Sequence, residues 1–119
     1  KFYNLDKKVL VEGNVFIKIN NKGNIKAEKV SVLIDQKGEV SYIKAINNVE
    51  IFLDELEQNL FSDEAIFDNN ASRIDLIGNI VLYYGESFLK GDRAYIDLKK
   101  GISKISSDNK GNVSGSFVK

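Results

Sequence analysis

Apolar residues recur along this chain at period two, three times over and in the same order. Aligned, the runs give the columns Val9/Ile43/Ile74, Val11/Ala45/Leu76, Val15/Val49/Ile80 and Ile17/Ile51/Leu82, every member apolar. The alternate columns, Leu10/Lys44/Asp75, Glu12/Ile46/Ile77, Phe16/Glu50/Val81 and Lys18/Phe52/Tyr83, mix charge with aromatics. One apolar face and one mixed face mark a half-buried strand. Each run carries Gly13, Asn47 or Gly78 at its middle, where a strand glycine signals a bulge or a bend. The pattern predicts strands of about eleven residues that turn a corner there.

A second strand follows in each unit, and its phase changes part-way. Ile25 and Ala27 lie on odd positions, Val30, Val32 and Ile34 on even ones, with the slip at Glu28-Lys29. Equivalent slips fall at Asp63-Glu64, between Leu60 and Ala65/Phe67, and at Asp92-Arg93, between Leu89 and Ala94/Ile96. One extra residue bulged out of this strand would restore the buried face and re-aim the chain. The connections are turn chemistry: Asn20-Asn21-Lys22-Gly23, Gln36-Lys37-Gly38, Asn69-Asn70-Ala71-Ser72, Gly85-Glu86-Ser87 and Lys99-Lys100-Gly101. Asp54-Glu55-Leu56-Glu57 sits where the other units have a hairpin and is read as loop.

The unit starts Asn14, Asn48 and Asn79 are 34 and then 31 residues apart, a repeat period. The expected architecture is all-β: one domain over 1–119, a twisted, partly open antiparallel β-jellyroll. It is built as two facing sheets from three corner-turning hairpins, at about 5–38, 39–70 and 71–105, with a closing strand over 106–119.

Composition narrows the chemistry. The 119 residues contain no Cys, His, Met or Pro, which removes thiol and imidazole catalysis and most metal sites. Seventeen basic and seventeen acidic residues cancel and intersperse, unlike the basic stripe of a nucleic-acid binder. No apolar run reaches the length of a membrane-spanning helix. The chain opens on Lys1, so a leading segment such as a signal peptide is expected to have been removed or to lie outside it. The corners Glu28-Lys29, Asp63-Glu64 and Asp92-Arg93 invite comparison with paired catalytic carboxylates. Repeated along a stack, they face equivalent but separate places, and read as solvated or salt-bridged bulge residues. An enzyme is not expected. Phe67 falls in the inward column; Phe16, Phe52 and Tyr83 fall on the other parity and are expected to be exposed.

At these repeats the sequence resembles the LptA/OstA-like family. The third unit carries the family's phrase from Gly78-Asn79-Ile80 through Gly91-Asp92-Arg93-Ala94-Tyr95-Ile96-Asp97 to Gly101. The first carries it through Gly13-Asn14-Val15, Ala27-Glu28-Lys29-Val30 and Asp35-Gln36-Lys37-Gly38, and the tail Lys110–Phe117 resembles the family's closing strand. The middle unit departs most, with Asn47 for glycine and Ser62-Asp63-Glu64 at the corner.

The resemblance implies a periplasmic, non-catalytic carrier of lipopolysaccharide, without cofactors or metal. Its partners would be lipid A, an LptC-like inner-membrane adaptor, an LptD-like outer-membrane translocon and copies of itself stacked head to tail. Also implied as alternatives are the anchored adaptor or the translocon's N-terminal domain; a β-solenoid scaffold that binds no lipid is a further one. Physical chemistry points the same way. Exposing apolar chain to water costs about 0.8 kcal/mol per methylene, so an acyl chain of about fourteen carbons needs shelter worth on the order of 10 kcal/mol. Inward parity nominates Val15, Ile17, Ile25, Ala27, Val32, Val49, Ile51, Leu60, Phe67, Ile80, Leu82, Leu89 and Ile96 as groove residues.

Overall fold

The computed structural model describes residues 7–107 and the backbone of 114–116. Seven strands follow one another along the chain: β1 (Lys7–Ile19), β2 (Gly23–Ile34), β3 (Val40–Leu53), β4 (Gln58–Asp68), β5 (Arg73–Tyr84), β6 (Ser87–Asp97) and β7 (Ile102–Ser106). Each pairs antiparallel with the next, and the short β8 (Ser114–Ser116) joins β6 beside β7. The first and last strands of the path do not pair, so the sheet is open. The expected two sheets are thus one continuous sheet. Long strands pass round the corner without changing partners, so no break in pairing separates the layers. The proposed closing strand over 106–119 is described only at β8; its remainder, with most of the tail Lys110–Phe117, lies outside the described residues.

The corners have a common construction. Between β1 and β2, Gly13 and Asn14 together oppose Glu28; between β3 and β4, Asn47 and Asn48 oppose Asp63; between β5 and β6, Gly78 and Asn79 oppose Asp92. The extra residue is in the first strand of each hairpin, and not in the second as the phase slip suggested. All six of these first-strand residues have positive φ, from 45° at Asn14 to 84° at Gly13 and Gly78. Glycine and asparagine enter this region most readily, which explains why only they occupy these positions. The slips of the second strands are real: burial resumes after three residues rather than two, from Ala27 to Val30 and from Ser62 to Ala65.

The corners divide the sheet into two layers. A lower layer ends in the turns at 20–22, 54–57 and 85–86, and an upper layer ends in those at 35–39, 69–72 and 98–101. That the layers face each other follows from contacts between strands that are not neighbours in the sheet. Ser103 Oγ on β7 donates to Gln58 Oε1 on β4 at 3.2 Å. Lys22 Nζ donates to Asn69 Oδ1 at 3.2 Å and stands 5.3 Å from the Phe67 ring centroid. Between the layers lies a core that includes Ile43, Ala45, Val49, Ile51, Leu60, Ile74, Leu76, Ile80 and Ile96, all nearly sealed from solvent. The molecule is elongated, 59 × 27 × 25 Å.

The layers are offset by one hairpin. The lower turn at 20–22 meets the upper turn at 69–72, and Leu56 in the next lower turn reaches Gly101 in the next upper one. The upper part of β1 therefore has no layer beneath it, while Val30 on β2 is already in the core. Val9 and Val11 match the buried Ile43 and Ala45 in the repeat, yet they are 43% and 40% exposed.

Candidate functional site

All thirteen nominated groove residues belong to strands of this bent sheet. Val15, Ile25, Ala27, Val49, Ile51, Leu60, Phe67, Ile80, Leu82 and Ile96 are buried, and Ile17, Val32 and Leu89 are partly so. Burial splits them by environment. Val49, Ile51, Leu60, Ile80 and Ile96 are packed against the chain's own side chains, each 1% exposed or less. Ile17 and Phe67 instead come together at an opening near the first strand.

That opening is a cavity of about 300 Å³ where the lower layer, through Ile17 and Ile19, confronts the upper one, through Val40, Ile43 and Phe67. Lys22 and Asn69 close it as a clasp. The Lys22 ammonium bonds the Asn69 amide oxygen, and Asn69 Nδ2 in turn donates to Val40 O at 2.9 Å. Across the strands Val9 pairs with Val32, Val32 with Ile43 and Ile43 with Phe67, so an apolar row leads from the exposed Val9 through the partly buried Val32 to the opening. Lys18 and Lys22 set two ammonium groups at the rim. At about 300 Å³ the opening is at the small end of ligand cavities. A long acyl chain enters only if the layers part.

The layers are held chiefly by the apolar core between them; the polar contacts across them that the structure shows are the clasp and the Ser103–Gln58 bond. The neutral Ser103–Gln58 bond contributes about 0.5–1.5 kcal/mol net. Gln58 and the clasp escaped the sequence analysis. Gln58 could have been found, being a polar residue on the inward parity of β4; the clasp joins turns 47 residues apart and leaves no local trace.

The corner carboxylates sit at three separate corners, each with its own partner. Glu28 accepts from Asn48 Nδ2, Asp63 from Asn79 Nδ2 at 2.8 Å, and Asp92 from Ser107 Oγ at 2.9 Å. They form rungs of a ladder along the outer corner, hydrogen-bonded to neutral groups and not only solvated or salt-bridged as expected. Elsewhere on the exterior, Arg73 pairs with Asp75 at 2.9 Å and stacks over Tyr95. This neighbouring carboxylate raises the Arg73 pKa further above its ordinary value. Phe16, Phe52 and Tyr83 are exposed as expected.

Residues 2–102 match the sequence profile described as the LptA/(LptD N-terminal domain) LPS transport protein family. The chain belongs to this lipopolysaccharide-transport family. No curated protein matches it in sequence. Among solved structures it is similar to LptH of Pseudomonas aeruginosa, the LptA-homologous periplasmic component of the conserved lipopolysaccharide transport device. The TM-score is 0.76 at 9% identity, over 94% of this chain and 85% of that one. At that identity the likeness speaks for the fold: an open, bent antiparallel sheet is the shape the LptA-like family shares.

Proposed function

We propose that this member of the LPS transport family is a periplasmic carrier that takes lipid A acyl chains between its two layers. It would pass lipopolysaccharide from an inner-membrane transporter complex toward an outer-membrane translocon. The observation that carries the proposal is the apolar row from Val9 through Val32 and Ile43 to the opening at Ile17 and Phe67. Acyl chain replacing the facing layer keeps inner side chains out of water, so the apolar burial given up when the layers part is restored by the cargo. The similar apolar columns of successive hairpins offer the chain similar energies, which favours sliding over trapping. The open edges at β1 and β7 give the molecule two places to add strands from neighbours.

A photo-crosslinking amino acid at Ile17, Phe67 or Ile51, expressed in cells, should capture lipopolysaccharide, whereas one at the outward, exposed Lys44 should not. Capture at Lys44 with none at the inward positions would overturn the carrier role. Failure of purified chain to bind lipopolysaccharide after delipidation would favour a protein-binding scaffold.

A further inference from the structure

The ladder along the outer corner is incomplete at one end. Each even strand offers a carboxylate at its corner, preceded by a small inward residue: Ala27-Glu28, Ser62-Asp63, Gly91-Asp92. β3 and β5 each meet it with two positive-φ residues, the second an asparagine that donates to it: Asn48 to Glu28 and Asn79 to Asp63. The nature of the first residue follows the length of the carboxylate. A Cβ on Gly78 would stand 2.6 Å from Asp63 Oδ2, so the short aspartate keeps this position only with glycine beneath it. The longer Glu28 coexists with Asn47.

β1 presents the same pair, Gly13 (φ 84°) and Asn14 (φ 45°), in nearly the conformation of Gly78 (84°) and Asn79 (48°). Among the described residues no strand pairs with the outer edge of β1. A Cβ on Gly13 would meet nothing within 4 Å, and the Asn14 amide has no acceptor among the described residues. A concavity of about 470 Å³, lined in part by Asn14, Phe16 and Lys26, opens at this corner.

We infer that Gly13 and Asn14 form a seat for an aspartate on an incoming strand. The edge of β1 recruits a partner by antiparallel strand addition, with a small residue followed by Asp set opposite Gly13-Asn14. Glycine at position 13 leaves room for the short Asp, as Gly78 does for Asp63. The strand is assigned to a different protein, since among the described residues the corner carboxylates Glu28, Asp63 and Asp92 lie on strands already paired on both sides. Three lysines against one glutamate on β1 favour an acidic incomer. The seat deepens the proposed function by naming what one open edge accepts, and rests on strand addition there.

The test is titration of the whole isotope-labelled chain with an eleven-residue peptide copying Gln58–Asp68, which carries its own Ser-Asp corner. A second peptide carries Asp63→Asn. Amide spectra should show β1 and the Asn14 side chain shifting, with the Asp peptide binding about tenfold or more tighter than the Asn one, since a charged acceptor strengthens the bond. Asn14→Gly keeps the positive φ but removes the donor, and should equalise the two peptides. Asn14→Asp should reverse the preference. Equal affinities for the native chain, a preference surviving Asn14→Gly, or no shift of β1 at millimolar peptide would each overturn the seat. Crosslinking of lipopolysaccharide at Phe67 in the Asn14→Gly chain separates the two proposals. It should persist, and its loss in the native chain with peptide preference intact would sink the carrier role alone.

Discussion

Alanine at Gly78 and, separately, at Gly13 imposes the same backbone strain in two different surroundings. Both glycines have φ 84°, where an L side chain costs roughly 1–2 kcal/mol. Loss of unfolded-chain freedom offsets about 0.4–1 kcal/mol of this at either site. At Gly13 nothing else changes, because the new Cβ meets no atom within 4 Å. At Gly78 the Cβ lands 2.6 Å from Asp63 Oδ2 and 3.2 Å from its Cβ and Cγ. Asp63 must swing away, and its 2.8 Å bond from Asn79 breaks. A hydrogen bond to an ionised group contributes about 1.5–3 kcal/mol, and exposure at the corner puts this one at the lower end. Gly13→Ala should therefore cost about 1 kcal/mol and Gly78→Ala about 2–3 kcal/mol. With a urea m-value of about 1–3 kcal/mol/M, the two midpoints should differ by about 1 M. The chain lacks tryptophan, so far-UV circular dichroism is the readout. In an Asp63→Ala background the Gly78→Ala penalty should fall to that of Gly13→Ala. If the two glycine variants superimpose, or the gap survives without Asp63, the glycine-aspartate pairing that underlies the proposed seat is wrong.

Other perturbations separate core from opening. Leu60→Ala and Ile51→Ala, at sealed positions, should each cost about 2–5 kcal/mol in chemical denaturation. Ile17→Ala, at the partly exposed opening, should cost less than half as much while weakening uptake of a fluorescent acyl probe. Asn69→Ala removes the clasp to Lys22; it should lower stability by about 1 kcal/mol and speed uptake of the same probe in stopped flow. Phe16→Ser, at a ring 57% exposed, should leave the unfolding midpoint within about 0.5 kcal/mol of the parent.

The sequence made the corners legible because bulge geometry leaves a local mark. Only Gly and Asn tolerate two successive positive-φ positions cheaply, and a bulge shifts the parity of burial, so Gly13, Asn47, Gly78 and the slip at Glu28-Lys29 could all be read without a structure. Which strand held the extra residue could not. A parity slip in one strand and a doubled residue in its partner produce the same pattern until the register is known. The inward face was legible for the same reason that strand alternation is, but what lies opposite it was not. Val11 and Ala45 share a column and differ only in whether a second layer covers them, a property of the offset between hairpins and not of either residue. The asparagines were read for backbone alone; their side-chain partners lie 16 and 20 residues away.

The offset joins the two proposals physically. Had the lower layer lain squarely beneath the upper, every hairpin would be covered and the core would have no entrance. Displacing it by one hairpin leaves Val9 and Val11 as a greasy ledge on β1, and leaves the same strand's edge with its Gly-Asn corner open. A strand added at β1 extends the sheet over this ledge. The next hairpin of a partner would supply the missing lower layer, turning an exposed ledge into a roofed channel continuous with the opening at Ile17 and Phe67. A register error of one residue would turn the incoming apolar face outward and break that channel. A side-chain seat that fixes the register at the corner is thus placed where a mismatch would cost transfer of the cargo as well as the strength of the joint.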